Sequence, residues 1–216
     1  MQTIPKIIHY VWVGPNDLTP LAEECIASWK KYLPDYEIKF WNETNSPMNH
    51  SYVEHMYGEK KWAFVSDYIR FRVLKKYGGI YLDTDMELLR PLDDFLDEEM
   101  FVGRSKTGDI ESSIIGVVPN HPAIDSALTF YDTDTSRSIS NTSPKVLAEA
   151  IASCPETATV FPAKYFHPCD EGEKCTQEKL KDSYARHHWA ESWVPYRTLR
   201  KILRKTGLLK LVKKFL

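Results

Sequence analysis

Asp83 and Asp85 are the residues whose types and spacing most clearly support chemistry. They follow a short apolar run, and only Thr84 separates them. In an extended strand alternate side chains share a face, so both carboxylates are expected to point the same way. Mg²⁺ and Mn²⁺ prefer such oxygen ligands and complete their coordination shell with water and substrate phosphates. The pair therefore predicts a metal site that binds a diphosphate.

A predicted helix leads directly into this short strand. Its apolar residues recur at helical spacing over 62–77, and Gly78 is placed to end it. Asp67 and Arg70 are three positions apart and therefore lie on one face of the helix. On their own they can be an ordinary ion pair on the helix surface, which contributes little to stability.

Helix, double-glycine turn, strand and Asp-x-Asp together resemble the family 32 glycosyltransferases and, more distantly, the large bacterial glucosylating toxins. In both groups a Ser-Asp-x-x-Arg helix precedes Gly-Gly-x-Tyr-x-Asp-x-Asp, which here correspond to residues 66–70 and 78–85. Residues 4–14 resemble the first strand of the family, and 187–193, His-His-Trp-Ala-Glu-Ser-Trp, resemble its closing segment. The resemblance covers most of residues 4–193 and implies a GT-A fold.

The resemblance implies that four residues bind the donor sugar nucleotide. Trp12 contacts the nucleotide base, and Tyr81 contacts the donor. Asp67 and Arg70 hold hydroxyl groups of the donor sugar, and Arg70 also offsets charge near the diphosphate. Core packing is the competing interpretation for Trp12 and Tyr81.

The resemblance also implies a set of metal and diphosphate ligands. Asp85 is the primary metal ligand, and Asp83 contacts the metal directly or through water and ribose. His188 reaches the metal from the C-terminal segment. Its neighbour His187 is the rival, because adjacent residues on a strand face opposite sides; in a further interpretation both are surface histidines. The proposed diphosphate contacts from the same segment are Ser192 and Trp193, for which a buried turn is the alternative.

Two segments depart from the family pattern. Ser143 stands in a Thr-Ser-Pro turn where glycine is usual, and residues 111–113 are Glu-Ser-Ser where asparagine often occurs. Acceptor-binding residues are therefore not identified. Asp67, Arg70, Asp83 and Asp85 remain the candidate catalytic residues.

The order of predicted elements indicates an α/β fold. The chain alternates strands and helices as in a Rossmann-type, doubly wound sheet, and the resemblance implies a mixed, mostly parallel central sheet. Ligands in such sheets bind beyond the carboxyl ends of the strands. Strands are predicted at 5–13, 36–41, 80–82, 100–103, 113–118, 160–161, 164–166 and 183–188. Helices are predicted at 19–32, 61–77, 121–131 and 144–152.

Composition favours one globular domain. With 216 residues, of which 43% are hydrophobic and 12% aromatic, the chain can bury a substantial core. The start of the sequence shows no secretory signal, and no stretch approaches the ~18 to 20 apolar residues that span a bilayer, so a cytoplasmic protein is expected. The four cysteines are scattered and are expected to be thiols. A zinc site using His167, Cys169 and Cys175 is a weaker alternative.

The C-terminal 20 residues differ in charge from the rest. Residues 197–216 contain eight basic and no acidic residues, which leaves 20 basic against 30 acidic residues in 1–196, a net charge of −10. We therefore expect a catalytic domain over 1–196 and a basic amphipathic tail over 197–216 that binds an anionic membrane surface. Packing of the tail on its own domain is the alternative. Nucleic acid is not an expected partner, because the body is acidic and no recognition module is visible.

These features and the family resemblance predict a metal-dependent glycosyltransferase, and the resemblance implies that it retains the anomeric configuration. It would use Mn²⁺ or Mg²⁺ to move a hexose from a nucleotide sugar, UDP-linked by resemblance, to a lipid-linked glycan acceptor. The acceptor would belong to capsular or surface polysaccharide synthesis at the inner face of the cell membrane. One alternative is a toxin-like transferase that modifies a protein. Another is a metal-dependent phosphohydrolase with Asp83 as nucleophile.

Overall fold

Helices and strands alternate along most of the chain. The computed structural model describes residues 2–133, 136 and 140–190. The strands are β1 (Ile7–Val11), β2 (Glu37–Trp41), β3 (Gly79–Leu82), β4 (Met86–Leu88), β5 (Met100–Arg104), β6 (Ile110–Val117), β7 (Thr159–Phe161) and β8 (Ala185–His187). The helices are α1 (Pro20–Tyr32), α2 (Ser51–Gly58), α3 (Trp62–Tyr77), α4 (Pro122–Thr133), α5 (Ser143–Ala152), α6 (Ala163–Phe166) and α7 (Gln177–Leu180). Short 3₁₀ turns cover Asp93–Phe95 and Pro155–Thr157.

Six strands form the central sheet in the order β2-β1-β3-β6-β5-β7. The pairs β1–β2, β1–β3 and β5–β7 are parallel, whereas β6 is antiparallel to both β3 and β5. The predicted mixed, mostly parallel sheet is therefore confirmed. β4 and β8 pair with each other in a separate antiparallel ribbon.

The central strand β3 is buried on both faces, as expected for a strand with helices on each side. Tyr81 packs in a cluster with residues of α2, α3, α4 and α5. Ile80 and Leu82, which point the other way, pack in a second cluster that includes Trp29 of α1 and Phe166 of α6. These two cores fix the position and direction of β3, and hence of the aspartates that follow it.

Glycines allow the tight connection from α3 to β3. Gly78 has φ +61° and Gly79 has φ +92°, a region that favours glycine. A Cβ atom at Gly79 would lie 2.6 Å from the carbonyl oxygen of Ile7 in β1. The double glycine therefore lets β3 lie directly beside β1.

Most predicted elements are present. Helices α2 and α7 were not predicted, and two predictions are wrong. Residues 164–166, predicted as a strand, lie in α6, whose N-terminal flanking residue is Pro162. Cys169 and Cys175, predicted to be thiols, form a disulfide, so the zinc alternative is also wrong.

The predicted boundary between 196 and 197, and the whole tail, lie outside the described residues. Within the described part of the chain, no helix combines the length and the apolar character needed to cross a membrane.

Candidate active site

A cavity of about 390 Å³ opens at the carboxyl end of β1 and β3. Its size is in the usual range for small-molecule sites. Among its lining residues are six of the predicted site residues, namely Trp12, Asp67, Arg70, Tyr81, Asp83 and Asp85. The fold therefore brings predicted site residues from three separate parts of the chain to one cavity. Ser192 and Trp193 lie outside the described residues, so their predicted contacts stay predictions.

Asp83 lies at the point where β3 ends. Its backbone N–H donates to the carbonyl of Ser113 in β6 (2.8 Å), which continues the strand pairing by one residue. Its Oδ1 accepts hydrogen bonds from Arg70 Nη2 (3.0 Å) and from the hydroxyl of Tyr81 (2.9 Å). Asp83 is thus oriented by two buried donors.

The two aspartates share a turn, not an extended strand. The N–H of Met86 donates to the carbonyl of Asp83 (2.9 Å), and the chain then enters β4. The expectation that strand alternation aligns Asp83 and Asp85 was therefore wrong in its geometry. The turn nevertheless places both carboxylates at the cavity.

Asp85 is fixed by contacts with the C-terminal segment. Its Oδ2 accepts from the backbone N–H of Ala190 (2.7 Å), and its Oδ1 lies 3.3 Å from Nε2 of His187. Burial alone would raise the pKa of Asp85, but the hydrogen bond and charge of His187, with the Ala190 N–H, hold it below its usual value. Asp85 is therefore an anion at neutral pH.

His187, not His188, is the histidine that faces the aspartates. In the β4–β8 ribbon His187 lies opposite Met86, next to the Asp83–Asp85 turn. His188 points to the other side, where its Nε2 lies 2.9 Å from Glu87 Oε2. The prediction that His188 reaches the metal is thus incorrect, because strand alternation turns its ring away from the cavity.

Asp83, Asp85 and His187 form a set of groups that suits a divalent cation. One potential ligand atom from each lies within 4.8 Å of the others. Two carboxylates and one imidazole are acceptable ligands for Mn²⁺, and also for Mg²⁺ where water and phosphate supply the remaining ligands. Burial works to lower the pKa of His187, but its contact with Asp85 and the charges of Asp83 and Glu111 raise it. The imidazole therefore lies in a strongly negative environment, which also attracts a cation.

Arg70 is the centre of a buried hydrogen-bond network. Its Nη1 donates to the carbonyl (2.8 Å) and hydroxyl (2.7 Å) of Ser112, and to the hydroxyl of Ser143 (3.2 Å). Its Nη2 lies 3.2 Å from Asp67 Oδ1 as well as bonding Asp83. With Asp67 only 7% and Arg70 only 4% exposed, the surface ion-pair interpretation is excluded.

Asp67 is held from the other side by the start of α5. Its Oδ1 accepts from the Ser143 hydroxyl (2.7 Å), and its Oδ2 accepts from the Ser143 backbone N–H (3.3 Å). Burial raises the pKa of Asp67, while Arg70 and Ser143 oppose that effect. Ser112 and Ser143 were not predicted as site residues. The only signal in the sequence was that both serines lie in segments that differ from the family pattern.

Trp12 is one of the aromatic residues that line the cavity. Its indole N–H donates to the carbonyl of Asn16 (2.7 Å), and its side chain is only partly buried. Trp62, at the start of α3, also lines the cavity, and Gly14 packs closely against its ring. Two tryptophan side chains therefore contribute aromatic surface to the cavity.

Comparisons with known proteins find similarity to glycosyltransferases. Residues 20–102 match the family model described as "Glycosyltransferase sugar-binding region containing DXD motif". The chain is 28% identical over 223 residues to "Uncharacterized glycosyltransferase L373" of Acanthamoeba polyphaga mimivirus, covering 92% of this chain and 87% of the viral protein. It is 30% identical over 131 residues to "Inositol phosphoceramide mannosyltransferase 3" of Schizosaccharomyces pombe, covering 55% of this chain but only 35% of the yeast protein.

Two solved structures share the fold. "PaToxG Glycosyltransferase" superposes with a TM-score of 0.60 at 22% identity, covering 71% of each chain. A glycosyltransferase involved in the glycosylation of the major capsid of PBCV-1 superposes with a TM-score of 0.57 at 13% identity, covering 88% of this chain and 95% of that one. The chain has a GT-A-type fold, and its residues 20–102 are similar to the glycosyltransferase sugar-binding region that contains the DXD motif.

Proposed function

We propose that this chain is a metal-dependent transferase that moves a hexose from a nucleotide sugar to a glycan acceptor. The observation that carries the proposal is a single cavity that contains two different groups of polar side chains. One group is the Asp83, Asp85 and His187 cluster, and the other is the buried Asp67–Arg70 network. A diphosphate–sugar ester needs both kinds of contact.

The cluster supports the diphosphate side of the reaction. Breaking the bond between the anomeric carbon and the diphosphate leaves negative charge on the departing phosphate. A divalent cation held by Asp83, Asp85 and His187 would supply Lewis-acid stabilisation of that charge, an effect typically worth several kcal/mol. The hydrogen bonds to Asp83 and Asp85 fix these carboxylates before the substrate binds.

The Asp67–Arg70 network supports binding of the sugar. The side chains are buried and mutually hydrogen-bonded, so little reorganisation is needed when a sugar hydroxyl approaches. Orientation of this kind can lower a barrier by as much as ~7 to 11 kcal/mol in favourable cases. Trp12, which also lines the cavity, would supply an aromatic face for the base.

We further propose, from the family resemblance, that the nucleotide is UDP and that the anomeric configuration is retained. The same resemblance suggests a lipid-linked acceptor for capsular or surface polysaccharide. Relatives named as inositol phosphoceramide mannosyltransferases make mannose donors a necessary part of any screen. The toxin-like and phosphohydrolase alternatives differ in what they release or modify.

A donor screen tests the proposal. Purified protein is incubated with Mn²⁺ and UDP-glucose, UDP-galactose, UDP-N-acetylglucosamine or GDP-mannose, and free sugar and inorganic phosphate are measured separately. Sugar release that Asp85→Asn lowers by about 100-fold or more, as expected for loss of a metal ligand, supports the proposal. Asp35→Asn, in an exposed ion pair with Lys6, is the matched control and should keep wild-type activity. Phosphate release without sugar release would favour the phosphohydrolase instead.

Membrane attachment through residues 197–216 is a second part of the proposal, and the charge and apolar pattern of that sequence supports it. Flotation with phosphatidylserine vesicles tests it. The full chain should float with the vesicles and a chain ending at Pro195 should not. Equal flotation of both would remove the tail from the proposal.

A further inference from the structure

Glu111 lines the cavity but belongs to neither of the two groups of side chains described above. It is half-buried on β6. The cluster suited to a cation comprises Asp83, Asp85 and His187 among the described residues, without Glu111. Nor does Glu111 take part in the hydrogen bonds of Arg70. Its carboxylate is therefore not explained by the metal site or by the buried network.

Strand β6 carries Glu111 past the end of β3. Leu82, the last residue of β3, pairs with Ile114, and β6 extends from there to Ile110. Because the two strands are antiparallel, residues 110–113 lie beyond the carboxyl end of β3. Asp83 and Asp85 follow β3 at this same end. Glu111 therefore lies on the same side of the sheet edge as the two aspartates.

An irregularity in the pairing of β5 and β6 turns this part of β6 toward the cavity. Val102 of β5 pairs with Ile115, but the next residue, Gly103, pairs with Glu111. The three residues between are not matched by β5 residues, so β6 bulges. Bulges of this kind occur next to active sites, where they redirect side chains. In this bulge the Ser112 carbonyl accepts a hydrogen bond from Arg70, and Glu111 lines the cavity.

Within the described part of the chain, no hydrogen bond or ion pair holds the Glu111 carboxylate. Burial raises its pKa to about 7, His187 opposes that effect, and Asp83 and Asp109 add to it. A half-buried carboxyl group without a protein partner is costly, since its desolvation is not compensated. Such a group is readily explained if a substrate atom completes its hydrogen bonding.

We propose that Glu111 hydrogen-bonds a hydroxyl group of a sugar substrate, on either the transferred sugar or the acceptor, and so contributes to sugar specificity. The inference rests on the proposed function, since it requires that the cavity bind a sugar. A site built to bond a hydroxyl rejects analogues that lack it, because the protein group is then left buried and unpaired. Glu111 lines the same cavity as Asp83, Asp85 and His187 and is next in sequence to Ser112, so it can reach a sugar that binds between the metal-binding cluster and the Arg70 network.

The test compares Glu111→Gln with wild type and with Asp109→Asn. Asp109 is exposed on the same hairpin and does not line the cavity. Its replacement by Asn removes a negative charge near Glu111 and therefore controls for charge alone. Titration calorimetry measures the affinity for UDP alone and for the intact UDP- or GDP-hexose that wild type hydrolyses. Transfer to methyl glucoside and methyl galactoside gives KM for the acceptor. Thermal unfolding checks that each variant is folded.

A donor contact predicts that Glu111→Gln weakens binding of the sugar nucleotide by about tenfold while UDP binding stays within about twofold. An acceptor contact predicts unchanged donor binding and hydrolysis, with an acceptor KM raised by about tenfold. In both cases Asp109→Asn behaves like wild type. If Glu111→Gln changes neither donor binding nor acceptor KM, or weakens the binding of UDP and of the sugar nucleotide equally, the inference is refuted but the proposed function is not. A wild-type protein that releases no sugar from any donor would refute the proposed function and this inference with it.

Discussion

Replacing Tyr81 by Phe tests whether the protein pre-orients its metal-binding carboxylates. The Tyr81 hydroxyl donates to Asp83 Oδ1 (2.9 Å) and lies 3.2 Å from the hydroxyl of Ser66. The ring is 1% exposed and lies beneath the guanidinium of Arg70, 4.4 Å from its central carbon. Phenylalanine keeps the ring and its packing, so the substitution removes only the hydroxyl.

The structure sets the expected magnitude. Hydrogen bonds to charged groups contribute about 1.5 to 3 kcal/mol, and Arg70 still bonds the same Asp83 oxygen in the variant. We therefore expect the free energy of unfolding to fall by about 1.5 kcal/mol, at the lower end of that range. Groups that orient metal ligands typically contribute 10- to 100-fold in metal affinity, and the remaining Arg70 contact favours a loss of about tenfold in Mn²⁺ affinity.

The assay combines urea unfolding with calorimetric titration of Mn²⁺ in the presence of UDP. Tyr36→Phe is the matched control, because the Tyr36 hydroxyl is buried and has no hydrogen-bond partner among the described residues. Its removal should leave stability unchanged or increased and should not alter Mn²⁺ binding. If folded Tyr81→Phe bound Mn²⁺ as tightly as wild type, the reasoning that Tyr81 orients Asp83 would be refuted.

Three further predictions concern other parts of the site and its support. His187→Gln should lower Mn²⁺ affinity by about tenfold or more, whereas His188→Gln should leave it within about twofold, as measured by the same titration. His9 is buried, receives a hydrogen bond from Trp41 Nε1 (3.1 Å) and lies 2.9 Å from the carbonyl of Gly78, contacts that fit the neutral ring. Burial lowers the pKa of His9 to about 4, so its contribution is complete above its unfolded-state pKa of about 6.5 and is lost as pH falls from there toward 4. Protonation of the unfolded chain at His9 should therefore lower the free energy of unfolding by about 2 kcal/mol at pH 5. Urea titrations should show a smaller loss in His9→Gln. Ser143→Ala removes a donor to Asp67 and should lower kcat for donor hydrolysis more than it changes UDP affinity.

Each of these has a contradicting outcome. Equal losses of Mn²⁺ affinity in His187→Gln and His188→Gln would contradict the assignment of His187 as the histidine that binds the metal. A wild-type protein and a His9→Gln variant with the same pH dependence would show that His9 does not control acid stability. Wild-type kcat in folded Ser143→Ala would separate the buried network from catalysis.

The sequence predicted the position of the aspartates because local signals agreed there. Apolar spacing over α3, two glycines and a short apolar strand can be recognised without tertiary information. These elements place Asp67, Arg70, Tyr81 and Asp83 on consecutive parts of one helix–turn–strand unit. Their mutual contacts therefore followed largely from local geometry.

The features that were missed depend on distant pairing or on unusual local residues. The choice of His187 over His188 is set by the register of β8 on β4, which neither segment reveals alone. Helix α2 begins after His50, whose ring accepts the N–H of Tyr52, a cap that the usual Ser, Thr, Asp or Asn signals do not include. The Cys169–Cys175 disulfide spans a turn in which Gly172 has φ +76°, and this turn was not evident from spacing.

Binding of UDP as a function of Mn²⁺ is the measurement that tests the account most directly. Calorimetric titration of UDP into wild-type protein should show binding with Mn²⁺ that is lost or weakened by at least about tenfold when EDTA removes the metal. Asp85→Asn, folded as judged by thermal unfolding, should bind UDP weakly under both conditions. UDP binding that is equally tight with and without Mn²⁺, and equal in wild type and Asp85→Asn, would contradict the assignment of the cavity as a metal–diphosphate site.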